Sequence, residues 1–487
     1  MELNMFKTLF EKEIKQNIQN HRFTIAMIVC CLLIPLSFFF NQKHYESRRT
    51  SYEESVRLYE DSRKTISDLG LNGAAVYRPP SPLMLLSTGV EYLIPDGVET
   101  IGFLTSRGIQ TRDINTSSFS NPFASLYGHM DLNFIVCVIL SILSVLFSFN
   151  SIAGEKENRS LSLIISNAVP RPVLLLAKSA ACFLLLSIAF LTGILAGFLT
   201  LEISGYHLLA NIALLLPFLY ALCAGLLIIS VMVNLGLLVS TLFKNSITSI
   251  LVLIVCWAFF YQLLPKSSVI LSRFIKPVTS QQVVDMEKQL FRLNLQAKMD
   301  ADIDRRLESD AALKQLGGRN FFRNIGKGNP LVDSYLEDTE AIQSDFQSSL
   351  AQGLRDIDLK YNSQRASQAS IARNIARLSP LCCFSHFLVE LSRTGILANH
   401  RWQETHQRLR EVLDREIAGR QKSIRYGNMS QSSFNGDRSD PAPRVHYQDI
   451  PRGAVFKASW PDLLLLALYG LLFFSGAFAA FMRYDVR

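Results

Sequence analysis

The chain has 487 residues, of which 49% are hydrophobic and 18% charged, with a mean hydropathy of +0.21. That is too apolar for an ordinary soluble protein of this size. The net charge of +8 is modest and spread along the chain without an aromatic-interleaved basic stripe, so nucleic acid is not expected as a partner and anionic lipid is the better match for the excess.

The apolar residues are clustered. Six runs are nearly free of charge for about 18 residues or more, the length a helix needs to cross roughly 30 Å of hydrocarbon. They are Phe23 to Phe40 (span one), Leu132 to Ile152 (two), Val173 to Leu201 (three), Leu208 to Leu242 (four), Ile247 to Leu264 (five) and Leu463 to Met482 (six). The pattern predicts an all-α polytopic membrane protein with six transmembrane helices. Span one follows a charged tail, residues 1–22, and no small-x-small cleavage pattern comes after it, so it reads as an uncleaved anchor. Span four is longer than one crossing requires and contains Pro217, where it is free to bend.

Lys and Arg in the short segments set the orientation. With both termini cytoplasmic, the inner side receives Lys7, Lys12, Lys15 and Arg22, then Lys156, Arg159 and Arg171, then Lys244, then Arg483 and Arg487. The short outer loop from Glu202 to His207 holds neither residue type. This topology gives a cytoplasmic loop at residues 153–172 and leaves two large extracytoplasmic pieces, residues 41–131 and 265–461.

The second piece reads as a mainly helical domain. Val283, Met286, Leu290, Leu293 and Ala297 step by three and four, as do Phe346, Leu350, Leu354, Ile357 and Tyr361, and Trp402, Leu409, Leu413 and Ile417 share a face. Such faces pack on one another or on a partner. In the first piece a charged helix from about Ser51 to Asp68 is expected, ended before Pro79, Pro80 and Pro82. The Gly-, Ser- and Pro-bearing stretch from Gly427 to Gly453 reads as a linker.

Six of the eight cysteines fall inside the apolar runs, where they act as small hydrophobes, and Cys382 and Cys383 lie together in LCCFSHFLVEL, an apolar helix suited to rest on a membrane. No metal is expected: His400 and His406 are six residues apart and point away from each other on a helix. The Gly317 to Gly328 segment lacks the glycine and hydroxyl spacing of a phosphate-cradling loop, and no nucleophile elbow occurs. The chain is therefore expected to be no enzyme and to bind no cofactor itself. The spans are nearly bare of ionisable groups apart from Lys178, which disfavours a proton- or sodium-coupled carrier.

The cytoplasmic loop reads GEKENRSLSLIISNAVPRPVLLLAK from Gly154 to Lys178. Glu155 and Glu157 suit the start of a short amphipathic helix through Leu161 and Leu163, and Arg171 with Pro172 marks re-entry into the membrane. This run resembles the loop of ABC-2 type transporter permeases, in which a glycine and a Glu-x-Glu precede a Leu-rich helix, a Pro with a basic residue, and a lysine entering the next span. The matching positions are Gly154, Glu155, Glu157, Leu161, Leu163, Pro170, Arg171 and Lys178. Where the family often has glycine then threonine after the second glutamate, this chain has Asn158, Arg159 and Ser160.

The resemblance extends to the approach to span two at Phe123, Tyr127 and Gly128, and to an amphipathic N-terminal helix with Phe6, Phe10, Ile14 and Ile18 at four-residue steps. It implies the membrane subunit of an ABC exporter in a plasma or bacterial inner membrane. Two such chains, identical or homologous, would form the pathway, while a separate ATP-binding subunit, carrying ATP and Mg, would dock on the inner loop. Glu155, Glu157 and Arg171 are then the expected polar contacts to the ATPase, with Leu161 and Leu163 filling its cleft. The alternative reading is an ATP-driven scaffold that passes motion through the spans to an outside protein partner without moving a substrate.

Overall fold

The computed structural model describes residues 2–65, 74–101, 110–114, 130–166, 169–206, 212–309, 330–426 and 445–484. The Gly317 to Gly328 loop, the residues Phe123, Tyr127 and Gly128, and most of the Gly427 to Gly453 linker lie outside them. Two units are distinguished, Met1–Leu263 with Arg377–Arg487, and Leu264–Ala376.

Six helical segments among the described residues are long and apolar enough to cross a membrane: Arg22–Asp61, Leu132–Glu157, Arg171–Ile203, Leu214–Leu242, Ser246–Ile275 and Arg452–Met482. Each contains or closely overlaps one of the runs read from sequence. Their ends differ from that reading in ways the chain explains. Span one does not stop at Phe40; its helix runs unbroken from Arg22 to Thr65, because no Pro or Gly interrupts Asn41 to Thr65, and the charged helix expected from Ser51 is its continuation. Span six begins its helix at Arg452, ahead of the apolar run, and carries Asp462 fully buried against Arg377 at 2.6 Å. Span two opens at Asp131, whose Oδ1 accepts the Phe134 amide at 2.8 Å and whose Oδ2 accepts that of Thr88 at 3.0 Å. A π-helical stretch, Ile135–Leu140, follows within it.

The core of the first unit forms where these helices meet. Spans one and three approach closely at Gly193 and Gly197, a small-xxx-small pair on span three. Any side chain at Gly193 would sit 2.8 Å from the Cys30 carbonyl, and one at Gly197 would sit 2.6 Å from the Phe38 ring. Without water to drive apolar faces together, helices in lipid associate through such close packing.

The far end of this mostly helical unit adds a small sheet that the sequence reading did not include. Residues 74–114 contribute three antiparallel strands, β1 (Ala75–Tyr77), β2 (Gly97–Ile101) and β3 (Gln110–Ile114), in the order β1-β2-β3 with Val76 opposite Val98. The strands are too short to show periodicity in sequence. What holds them is a second core: Val76, Ile94 and Val98 pack with Trp402, Leu409 and Leu413 from the helix Ile396–Tyr426. A buried charge network braces the same region. Arg78 Nη1 donates to both Glu91 oxygens at 2.8 and 3.0 Å, and Arg48, on the continuation of span one, donates to Glu91 at 3.1 Å and also pairs with Asp96.

The helix Pro380–Leu391 contains the paired cysteines, and both are buried. It is followed, after a bend of 40°, by Ile396–Leu413, and the two together have the length and apolarity of a broken span or a re-entrant loop. His406 on that second helix lies 4.0 Å from Asp113 of β3, a contact that only the fold reveals.

The second unit, taken by itself, contains the helices Leu264–Ile275, Gln281–Ser309 and Pro330–Ala376. The long third helix packs on both of the others: Gln368 donates to the Lys276 carbonyl at 2.7 Å, while Lys288–Asp358 at 2.5 Å and Arg306–Asp338 at 2.6 Å tie it to the second. Phe291 lies against Gly353, where a Cβ would come within 2.1 Å of its ring.

The packing of spans one and three is directly testable. Gly193→Leu is expected to lower stability by about 1–3 kcal/mol through overpacking, read as a fall in the thermal midpoint in detergent. Leu195→Ala, at a side chain 68% exposed on the same span, should leave the midpoint unchanged.

Candidate functional site: the loop between spans two and three

The loop after span two folds as two short helices, Ala153–Glu157 and Ser160–Ser166, before Pro170 caps span three in extended conformation. The break between them falls at Asn158 and Arg159. Arg159 adopts φ 56°, the left-handed region that glycine enters freely, in the stretch where the resembling pattern carries glycine.

Lys178 lies about two turns into span three and is 1% exposed. Its Nζ donates to Glu13 Oε1 at 2.7 Å and to Glu155 Oε1 at 2.9 Å. Glu13 comes from the N-terminal helix Glu2–Gln19 and Glu155 from the loop, so one ammonium joins three elements. Lys12 approaches Glu155 at 4.0 Å, which brings the cluster to charge balance. Glu155 Oε2 is buried without a hydrogen-bond partner among the described residues.

The loop is bonded to the other spans as well. Arg22 at the start of span one donates to Asn150 at 2.8 Å and lies over the Phe149 ring. The Ile152 and Ala153 amides donate to Ser240 Oγ of span four at 3.0 and 2.9 Å, and Lys156 donates to the Thr241 carbonyl. Glu157 Oε2 accepts the Ser246 amide at 3.1 Å, satisfying one of the donors left open at the start of span five, and Ser249 donates to the Phe149 carbonyl at 2.8 Å. Arg171 donates to the carbonyls of Met482 at 2.8 Å and Tyr484 at 3.1 Å, so a cation closes the carbonyl-rich end of span six. Lys156 Nζ also sits 4.3 Å from the centre of the Tyr484 ring.

These placements redistribute the expected site. Glu155, Arg171 and Lys178 come together with the spans themselves. Leu161 is 2% exposed and packs into the membrane unit's core, whereas Leu163 is 69% exposed. Of the leucine pair, then, only Leu163 is available to a partner, alongside Asn158, Arg159 and Ser162, which are also exposed. Glu157 is exposed but spends one oxygen on Ser246. Gly154 is not sterically demanded, since a Cβ there would meet Asn150 and Ser246 at an ordinary 3.5 Å. Pro170 serves as the N-cap of span three. Glu13, Ser240, Ser246 and Tyr484 carried no sequence signal, because each acts through a partner far away in the chain. No cluster of metal-binding side chains occurs among the described residues.

The family described as ABC-2 family transporter protein matches residues 7–352, which take in most of the N-terminal helix, spans one to five and every member of the Lys178 cluster. The chain belongs to that family. It is accordingly a multi-pass membrane protein of the ABC-2 permease type, and the family implies an ABC ATP-binding partner. No curated protein and no solved structure matches it. Span six of the permease lies beyond the matched range, yet Arg171 bonds its end to the loop.

Removing the lysine leaves buried Glu13 without its cation and Glu155 with only the more distant Lys12. Lys178→Met is therefore expected to cost roughly 3–5 kcal/mol and to depress the thermal midpoint in detergent. Adding Glu13→Gln and Glu155→Gln should restore most of the loss, since all the buried charge is then gone.

Proposed function

We propose that this chain is the membrane subunit of an ABC exporter, and that a separate ATP-binding subunit moves it by pushing on the 153–171 loop. The supporting observation is the loop's bonding: it is fixed to spans three, four, five and six and to the N-terminal helix at once. A loop held this way cannot be displaced alone, so force applied to it reaches the whole bundle.

In this reading the termini and the loop face the cytoplasm and a bacterial inner membrane surrounds the spans. Two permease copies, or this chain and a homologue, line the pathway. ATP and Mg belong to the partner subunit. The exposed strip of Asn158, Arg159, Ser162 and Leu163 meets that subunit, with Leu163 entering an apolar cleft. Glu155 and Arg171, first expected to touch the ATPase, instead hold the lever to the bundle. Exclusion of water around Lys178 strengthens its ion pairs and keeps the joint stiff.

The second reading, an ATP-driven scaffold, is favoured by one observation: the helix of span one continues without a break to Thr65, well past its apolar run, and joins the Arg48–Glu91–Arg78 network. Tilting that span would carry motion into the far-side domain with no substrate involved.

Leu163→Asp combined with Arg159→Glu is expected to abolish co-purification of a P-loop ATPase and its vanadate-sensitive activity, with the thermal midpoint of the permease unchanged because both residues are exposed. Retention of an active ATPase by that variant would remove the docking surface. If the unaltered protein recovers no ATPase at all and binds outside proteins instead, the exporter reading gives way to one that lacks ATP coupling.

A further inference from the structure

The helix Gln281–Ser309 presents two faces. One, through Val284, Lys288 and Phe291, packs on the Pro330–Ala376 helix. On the opposite side Val283, Met286, Leu290 and Leu293 form a stripe, and they are 53%, 62%, 54% and 60% exposed. The Pro330–Ala376 helix, already engaged on the first face, does not cover it.

The spacing of the stripe identifies what would. Val283, Met286, Leu290, Leu293 and Ala297 alternate steps of three and four, the 3.5-residue repeat that places one helix's side chains into the holes of another helix. Val283, Leu290 and Ala297 take the first apolar position of each heptad, and Met286 and Leu293 take the second, so every seam position is apolar. The flanking positions also suit a copy of the same helix. Gln282, Gln289 and Gln296 line one side and Glu287 and Asn294 the other, and Glu287 is already drawn toward Lys360 at 3.9 Å. No row of like charges faces an identical partner, so nothing repels self-pairing.

We propose that this stripe is a homotypic seam: the Gln281–Ser309 helices of two copies of this chain pair along Val283 to Ala297. The seam is about 20 Å long, too short to hold two free chains together. It closes where two permeases are already neighbours in the membrane and their high effective concentration favours a second contact. The inference thus rests on the two-copy permease reading, narrows it to identical copies, and adds a contact outside the spans.

The test uses the full chain in detergent with its partner subunit. Leu290→Cys is treated with a short water-soluble bis-methanethiosulfonate. Asp285→Cys, exposed on another face of the same helix, and the unaltered protein, whose exposed cysteines Cys31 and Cys223 lie in the spans, serve as references. Native mass spectrometry counts the copies in the same preparation. The seam predicts two copies and a covalent dimer forming at least about tenfold faster for Leu290→Cys than for Asp285→Cys. Two copies without that preference overturn the seam and leave the permease reading standing. A single copy of this chain in the complex overturns homotypic pairing, and the co-purified ATPase then reports separately on the permease reading.

Discussion

A lysine ammonium inside a membrane-spanning helix must be neutralised where it stands, because hydrocarbon offers it no water. Lys178 meets that requirement with two carboxylates from other elements, Glu13 from the N-terminal helix and Glu155 from the short helix Ala153–Glu157. The cost of burying the charge therefore becomes a constraint on three elements. The N-terminal helix has to lie against span three, and the loop has to fold back over it, before the lysine can be accommodated. Either carboxylate alone would leave the ammonium less well held, and both without the lysine would leave like charges buried together.

Around that joint the loop's remaining polar groups are used in the same way. Glu157 takes an open amide of span five, Arg171 closes the carbonyl end of span six, and Ser240 of span four receives two amides from the turn. Helix ends within or beside a membrane are where unsatisfied backbone groups accumulate, and here they are satisfied by one short segment. The loop is thus the place where the helix ends are tied, which makes it a fitting point for applied force. At the far end the tie is of a different kind: a helix that outlasts its apolar run, and a buried Arg–Glu–Arg network that joins it to a small sheet.

Much of this was legible in the sequence, because lipid imposes the strongest pattern a chain can show. The six runs, the amphipathic N-terminal helix and the loop with its Glu-x-Glu and Pro-Arg all follow from hydropathy, charge placement and resemblance. The boundaries were less legible, since the helix Arg22–Thr65 crosses from apolar to charged sequence with no breaker to mark the change. The strands were hidden, each being three to five residues long and defined by burial against Trp402 and Leu409 rather than by its own alternation. Within the loop, residue type alone did not reveal the neighbours that the fold brings to Glu155, Arg171 and Lys178. Acidic and basic residues in a loop look like surface groups, and only long-range pairing, Lys178 with Glu13 across 165 positions, makes them internal. The close packing at Gly193 and Gly197 was not read from the sequence, because it depends on Cys30 and Phe38 of span one, far away in the chain.

The central claim is that loop and spans move as one body through the Lys178 joint. Hydrogen–deuterium exchange of the purified permease–ATPase complex, compared without nucleotide and after vanadate trapping, tests it directly. Exchange in residues 153–166, in the N-terminal helix and in the first two turns of span three is expected to change together, and Lys178→Met is expected to preserve the loop's change while abolishing that of the N-terminal helix. Trapping that alters the loop and leaves the N-terminal helix and span three unchanged in the unaltered protein would contradict the account.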